Sequence, residues 1–231
     1  DQIWTTFEEE YAPFEERGVD WQATYQEFRQ QVNEQMSDEA LFAILPADHP
    51  LGRQEAVTPA EVASLPLVLG EDDRGAPGRL DLLINNAGVL HSGERFGHVE
   101  QALLEDSLRT NAIGPFLLTQ ALAPLLADAG TVANISSQLG SIANTTRFGT
   151  PSYDISKAAQ NMGSVLLARA LAERGIVVLA LHPGWVQTEM GGAQAQVAPA
   201  DAVAGLLRVI DAATPAQSGS FLDWRGEPLP W

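Results

Sequence analysis

The chain has 231 residues, 45% of them apolar, and a net charge of −17 at pH 7. This length and apolar content are enough for one α/β domain or two small ones. The negative charge argues against nucleic acid and anionic membranes as partners, because both would repel the protein. Because there is no cysteine, disulfides, thiolate metal sites and a cysteine nucleophile are excluded.

The two parts of the chain differ in charge. Residues 1–78 hold 17 acidic and 4 basic side chains, whereas residues 79–231 hold 13 and 9. This shift predicts an atypical N-terminal segment over residues 1–78 and a second unit over residues 79–231. No apolar run reaches the roughly 18 residues of a membrane span, and the first residues are acidic where a signal peptide would be basic. We therefore expect a cytoplasmic protein with no membrane partner.

The N-terminal segment has a helical pattern at its start. Aromatic residues recur at steps of three, four and seven over residues 4–28, which predicts two amphipathic helices. A further helix is predicted to open at Thr58 and Pro59, with threonine as its N-cap. Residues 65–70 read as a short strand, and the polar, glycine-rich residues 71–78 as a linker or exposed loop.

From residue 79 onward, apolar strands alternate with helices. Strands are predicted over residues 80–85, 131–135 and 176–181, with a last short strand after residue 221, and helices over residues 98–127 and 153–174. This alternation is typical of a parallel sheet covered on both faces. In such sheets, ligands bind at the carboxyl ends of the strands.

Lys157 is the only lysine in the chain, and Tyr153 lies four residues before it. Residues four apart share one face of a helix, so the phenol and the ammonium can point into one cleft. A nearby ammonium favours phenolate and would lower the pKa of the tyrosine from about 10 toward neutrality. The pair therefore predicts a general acid or base.

Five motifs follow one another along the chain: Asn85-Asn86-Ala87-Gly88, Asn111, Asn134-Ile135-Ser136-Ser137, Tyr153-x-x-x-Lys157 and Pro183-Gly184-Trp185-Val186-Gln187-Thr188. In this order they resemble the second half of a short-chain dehydrogenase/reductase. Leu139-Gly140-Ser141-Ile142 and the C-terminal Gly226-Glu227-Pro228-Leu229-Pro230-Trp231 are similar to its carbonyl-reductase-like, C-factor-type branch. The resemblance covers residues 79–231. It implies a Rossmann-like doubly wound parallel sheet, a carbonyl or alcohol substrate, and NADP or NAD as cofactor, with NADP slightly preferred.

The resemblance also implies catalytic roles for four residues. Tyr153 would donate a proton to the carbonyl oxygen during reduction or take it from the alcohol during oxidation, and Ser137 would hydrogen-bond that oxygen. Lys157 would lower the pKa of Tyr153 and hold the nicotinamide ribose. Asn111 would position a water that links Lys157 to solvent.

Two further groups would line the cofactor. The adenosine side would be formed by Asn86, Ala87 and Gly88, and the nicotinamide end by Pro183, Gly184 and Thr188. Members of the resembled family use the apolar faces of the helices at residues 98–127 and 152–173 for contacts between subunits, so the resemblance implies a homodimer or homotetramer. The histidines have no partners at metal-ligand spacing, so no metal site is predicted. Residues 92–98, 138–150 and 189–198 are expected to form the substrate rim.

The glycine-rich phosphate loop of the family is missing from its expected place near residues 1–15. Glu8, Glu9 and Glu10 stand there instead and would repel a pyrophosphate. Residues 3–42 resemble the helical N-terminal region of tail-specific (S41-type) peptidases. Residues 45–74 resemble part of a LysR-type effector-binding domain. Neither fragment brings a nucleophile or DNA-binding helices.

Three interpretations remain open from the sequence. The chain is a nicotinamide-dependent dehydrogenase whose N-terminal sequence is misassigned, a true fusion or designed chimera, or a non-catalytic interaction module built from such parts. The first is the leading interpretation, and the principal prediction is a short-chain oxidoreductase with Tyr153 as general acid or base.

Overall fold

The computed structural model describes residues 80–231. The predicted helices, strand, linker and missing phosphate loop of the N-terminal segment lie outside the described residues. The strands are β1 (Leu80–Asn85), β2 (Leu126–Ile135), β3 (Val177–His182) and β4 (Phe221–Asp223). The helices are α1 (Gln101–Leu108), a π-helical turn (Arg109–Ile113), α2 (Gly114–Leu122), α3 (Pro151–Ala170) and α4 (Pro199–Asp211). Short 3₁₀ turns lie at Ala123–Leu125, Gln138–Gly140, Ala172–Arg174 and Pro215–Gln217.

The four strands form one parallel sheet in the order β1-β2-β3-β4. Between β2 and β3 the register is continuous, from Thr131 opposite Val177 to Ile135 opposite Leu181. Between β1 and β2 it shifts after Leu80, near Ala129, whose φ of 63° is left-handed. The predicted parallel, Rossmann-like sheet is confirmed.

Two apolar clusters cover the two faces of the sheet. On one face, α2 and α3 pack over β1, β2 and β3, with the core residues Leu80, Leu83, Leu118, Leu122, Val132, Leu167 and Val178. On the other face, α4 packs through Ile210, with the core residues Leu82, Ala133, Val177, Leu179, Leu181 and Leu222. Every residue of β3 is buried, as expected for a central parallel strand. No helix in residues 80–231 is long and apolar enough to cross a membrane.

Some element boundaries differ from the predicted ones. The helical region predicted over residues 98–127 ends at Leu125, and β2 begins at Leu126. A π-helical turn interrupts the region just before Pro115, because proline has no N–H to donate to the carbonyl four residues earlier. Helix α4 has no counterpart among the predicted elements, although Pro199 stands in its first turn, where proline is favoured.

The packing of α4 against the chain after β4 generates a stability prediction. A Cβ added at Gly205 would overlap the ring and the carbonyl oxygen of Trp224. We expect Gly205→Ala to lower the free energy of unfolding by about 1–3 kcal/mol, because overpacking forces a backbone shift. Chemical denaturation at neutral pH measures the change.

Gly149→Ala is the matched control. Its added Cβ would lie 3.6 Å from the Arg147 side chain, an ordinary contact, so stability should change by less than about 0.5 kcal/mol. Equal effects of the two variants would show that the contact between α4 and Trp224 is not tight.

Candidate active site

The carboxyl ends of the parallel strands form one edge of the sheet. Strand β1 ends at Asn85, β2 leads into Ser136 and Ser137, and β3 leads into Pro183. The first half of α3 lies against this edge and buries Tyr153, Ser156, Lys157 and Gln160. The predicted motifs therefore meet at the edge where parallel sheets bind ligands.

The Ser136-Ser137 pair divides into two different environments. The Ser137 side chain lies close enough to the Tyr153 phenol to lower its pKa, and its hydroxyl accepts a hydrogen bond from the Leu139 amide at 3.2 Å. The Ser136 hydroxyl instead donates to Asn161 Oδ1 at 2.5 Å. Ser137 is thus the serine placed to share a bound oxygen atom with Tyr153, and Ser136 holds the end of β2 to α3.

The pKa of Tyr153 is shifted in the direction opposite to the sequence-based expectation. Burial of the phenol raises its pKa most, the hydrogen bond with Ser137 acts in the lowering direction, and the charge of Asp154 adds to the rise. Lys157 Nζ lies 5.7 Å from the centre of the Tyr153 ring and is not a cause of the shift. The expectation that the ammonium lowers the Tyr153 pKa is wrong for the chain alone, because desolvation dominates.

Lys157 is buried among neutral acceptors. It is 3% exposed, and its Nζ donates to the carbonyl oxygen of Ile135 at 2.8 Å and to Gln160 Oε1 at 2.9 Å. Burial lowers the pKa of Lys157 to about 7, since transfer out of water disfavours the charged form. An ammonium has three donors, and residues 80–231 engage two of them, which leaves one for a ligand within the described part of the chain.

Gln160 is a residue of the site that the sequence analysis missed. It is 2% exposed, its oxygen accepts from Lys157, and its Nε2 has no partner among the described residues. The signal that could have found it is its spacing: three residues after Lys157 it occupies the same helix face. A neutral acceptor at this place stabilises the ammonium less than a carboxylate would.

Asn111 joins three segments of the site. Its Oδ1 accepts from the Val89 amide at 2.8 Å, and its Nδ2 donates to the Val89 carbonyl at 2.9 Å and to Ser156 Oγ at 2.8 Å. The side chain is completely buried in the π-helical turn. Asn111 thus ties the segment after β1 to α3, and its role toward a water molecule stays a prediction.

Gly88 leaves room beside Asn111 and Lys157. A Cβ at this position would lie 3.4 Å from Asn111 Oδ1 and 3.6 Å from Lys157 Nζ, so the structure brings these three predicted residues together. The close space and the remaining donor of Lys157 fit a cofactor that presents hydroxyl groups and lies against backbone. The residues present therefore fit a nicotinamide ribose.

The other predicted cofactor residues flank this place along the chain. Asn86 is exposed and Ala87 half-buried, and both lead from β1 to Gly88. Gly184 has a φ of 87° and follows β3 with Pro183. Thr188 is exposed, and its hydroxyl accepts from the Gly191 amide at 3.2 Å. Contact of these residues with a cofactor stays a prediction.

A network of buried amide side chains lies under the site. The sequence analysis did not predict that these side chains bond to one another. Asn85 Nδ2 donates to Asn134 Oδ1 at 2.7 Å and to Thr119 Oγ1 at 3.1 Å. Asn134 Nδ2 donates to Ser164 Oγ at 2.9 Å. These bonds link β1, β2, α2 and α3, and because each buried donor would be costly if left unpaired, they fix α3 relative to the strand ends.

His182 closes β3 and is buried. Burial lowers its pKa to about 4, with the charge of Asp223 acting in the raising direction, so the imidazole is neutral at pH 7. Its Nδ1 has no hydrogen-bond partner among the described residues. Residues 80–231 contain no group of three or more histidine, cysteine or carboxylate side chains placed to hold a metal ion.

The buried ammonium predicts a pH-dependent stability. The pKa of Lys157 falls from 10.5 to about 7 in the folded chain, so the unfolded chain binds more protons between these values. The free energy of unfolding should therefore rise with pH from about 7 to about 9. Lys157→Met should flatten this rise, as measured by denaturant unfolding across the range.

Gln160→Glu is the opposing variant. A carboxylate beside Nζ raises the Lys157 pKa, so the rise in stability should move to higher pH while the fold is kept. The measurement stays below pH 10 because deprotonation of Tyr153, whose pKa is raised, would oppose folding above that value. A stability curve of identical slope in the parent chain and Lys157→Met would contradict the burial of a titrating ammonium.

Comparisons with known proteins agree with this geometry. The short chain dehydrogenase family matches residues 71–198, and the Tricorn protease C1 domain family matches residues 1–46. C-signal of Myxococcus xanthus is 42% identical over 156 residues, which are 67% of this chain and 94% of that protein. The 1-hydroxy-2-glutathionyl-2-methyl-3-butene dehydrogenase of Rhodococcus sp. (strain AD45) is 36% identical over 157 residues, 66% of this chain and 69% of that protein.

Solved structures give the same result. The NADPH-bound carbonyl reductase from chicken fatty liver has a TM-score of 0.74 and 29% identity, over 88% of this chain and 93% of that chain. The carbonyl reductase Sniffer of D. melanogaster has a TM-score of 0.65 and 34% identity, over 66% of this chain and 67% of that chain. With the matched residues including the strand-end motifs and the Tyr153–Lys157 helix, the chain belongs to the short-chain dehydrogenase family of oxidoreductases.

Proposed function

We propose that the protein transfers a hydride between a nicotinamide cofactor, NADP or NAD, and a small carbonyl or alcohol substrate. The observation that carries this proposal is the buried Tyr153 side chain, which shares one face of α3 with Lys157 and lies beside Ser137 after β2. The similar chicken carbonyl reductase is NADPH-bound, which supports NADP as the preferred form. These observations favour an oxidoreductase over a non-catalytic interaction module.

Each residue of the site has a distinct task in the reaction. The bound nicotinamide supplies or accepts the hydride. Tyr153 donates its phenolic proton to the substrate oxygen during reduction, and Ser137 donates a hydrogen bond to the same oxygen, which holds it in place. The raised pKa of Tyr153 keeps the phenol protonated at neutral pH, the form that reduction needs. Lys157 binds ribose hydroxyls through its remaining donor, and Asn111 holds the surrounding segments and orders a water beside Lys157.

The roles of the other predicted cofactor residues and of the two parts of the chain follow from this proposal. Asn86, Ala87 and Gly88 line the adenosine side of the cofactor, and Pro183, Gly184 and Thr188 the nicotinamide end. Residues 79–231 form the catalytic half, and residues 1–78 are an atypical N-terminal segment. The match to C-signal supports the C-factor-type branch. The cytoplasmic location of the protein stays a prediction, and so does the LysR-like origin of residues 45–74.

Substitution of the phenol tests the chemistry. Tyr153→Phe should lower kcat for NADPH-dependent reduction of an apolar ketone or aldehyde by about 10²–10⁴-fold, because the proton donor is lost. NADPH binding, measured by fluorescence titration, should remain. If the folded parent protein binds neither NADPH nor NADH, the result would contradict the proposal and favour the interaction module.

The two serines provide a matched pair of variants. Ser137→Ala should lower kcat by about 10–10³-fold through loss of a hydrogen bond to the reacting oxygen. Ser136→Ala removes only the bond to Asn161 and should cost about 1 kcal/mol of stability, with kcat changed little. A larger loss of kcat in Ser136→Ala would reverse the assignment.

The same helix supports an oligomer. Ile155, Met162 and Leu166 stand at steps of seven and four on α3, and each is about half exposed. A contiguous apolar stripe of this kind favours burial against a second copy. We infer a homodimer or homotetramer that uses this face.

Charge on the stripe tests the assembly. Met162→Glu should reduce the mass measured by sedimentation to that of a smaller species, since a carboxylate in an apolar interface is desolvated without a partner. Ile142→Glu is the control, because Ile142 is 78% exposed and lies outside α3. A parent chain that sediments as a monomer would contradict this assembly.

A further inference from the structure

The N-terminus of α3 is not capped by its own N-cap residue. The Thr150 hydroxyl donates to Asp154 Oδ1 at 2.8 Å and makes no capping hydrogen bond. The first-turn amides of a helix have no partners within the helix, and α3 begins at Pro151, buried at this end. A partner from elsewhere in the fold is therefore required, and it must act just before Tyr153.

Glu94 supplies that partner from 58 residues earlier in the chain. Its Oε1 accepts from the Ser152 hydroxyl, and its Oε2 accepts from the Ser152 amide at 3.2 Å. The carboxylate is 9% exposed, and a carboxylate this buried is costly unless it is hydrogen-bonded. The N-terminal end of a helix also favours negative charge. Glu94 thus clamps the residue that precedes Tyr153.

The same loop carries an aromatic contact. Gly93 and Gly97 have φ values of 86° and 83°, so the chain turns on either side of residues 94–96. The Phe96 ring packs edge-on against Phe148, with centres 5.9 Å apart. Both rings are largely exposed, at 87% and 54%. Two contacts therefore attach this loop to residues 148–152, immediately before the catalytic tyrosine.

We propose that Glu94 is a positioning residue: its clamp on Ser152 sets the place of Tyr153 in the first turn of α3. This inference rests on the proposed function. Because small displacements of a catalytic group cost much of the rate, loosening the first turn of α3 lowers turnover.

The test uses the full chain and two variants of the clamp. Glu94→Gln keeps an acceptor for the Ser152 hydroxyl but places an NH₂ group against the Ser152 amide, and Ser152→Ala removes the hydroxyl. The double variant completes a double-mutant cycle, which measures the coupling between the two side chains. Glu100→Gln is the control, since Glu100 is exposed and makes no side-chain cap bond at α1. The readouts are kcat, KM, NADPH affinity, and amide hydrogen exchange over residues 151–157.

We expect each clamp variant to lower kcat by about three- to tenfold with NADPH affinity unchanged. The loss of kcat in the double variant should be little larger than in either single variant. Exchange over residues 151–157 should accelerate in both, and Glu100→Gln should match the parent. Unchanged kcat in an active parent background, or fully additive losses, would overturn the positioning role.

Hydrogen exchange separates this inference from the proposed function. If the parent chain turns over no carbonyl compound but the clamp variants accelerate exchange, the contact exists and the proposed function fails. If the parent is active and exchange over residues 151–157 is unchanged in Glu94→Gln, the clamp fails while the function stands.

Discussion

The arrangement of the site depends on the burial of one ammonium group among neutral acceptors. Lys157 is the only lysine of the chain, and the carbonyl oxygen of Ile135 and the amide oxygen of Gln160 take two of its donors. No opposite charge within residues 80–231 compensates for its desolvation, and its pKa falls to about 7. A ligand hydroxyl that accepts the third donor would therefore stabilise the charged form, which links ligand binding to the protonation of the site.

The surrounding polar residues serve to hold α3 in register with the strand ends. Asn111 attaches it to the segment after β1, the Asn85–Asn134–Ser164 chain attaches it to β1 and β2, and Glu94 holds its first turn. Each contact joins residues that are distant in sequence. A helix held at several levels by buried hydrogen bonds has little freedom to slide, because any shift would leave donors unpaired.

The sequence predicted the sheet and the motif residues but not how they are held. Strand β1 and the parallel sheet follow from apolar strands that alternate with helices, and the family resemblance implied that Ser137 and Tyr153 act on one oxygen atom. The cap from Glu94 could not be predicted, since Thr150 stands at the usual N-cap position and the true partner is 58 residues away. The direction of the Tyr153 pKa shift was predicted wrongly, because spacing indicates a neighbouring charge but does not measure burial.

The state of Lys157 can be observed directly because the chain contains no other lysine. Protein labelled with ¹³C at lysine Cε gives a single NMR signal whose shift reports the protonation of Nζ. A titration of the protein without cofactor should give a pKa of about 7, and Gln160→Glu should raise it. A value close to the ordinary 10.5 would show that the ammonium is solvated, and would contradict the site described for this protein.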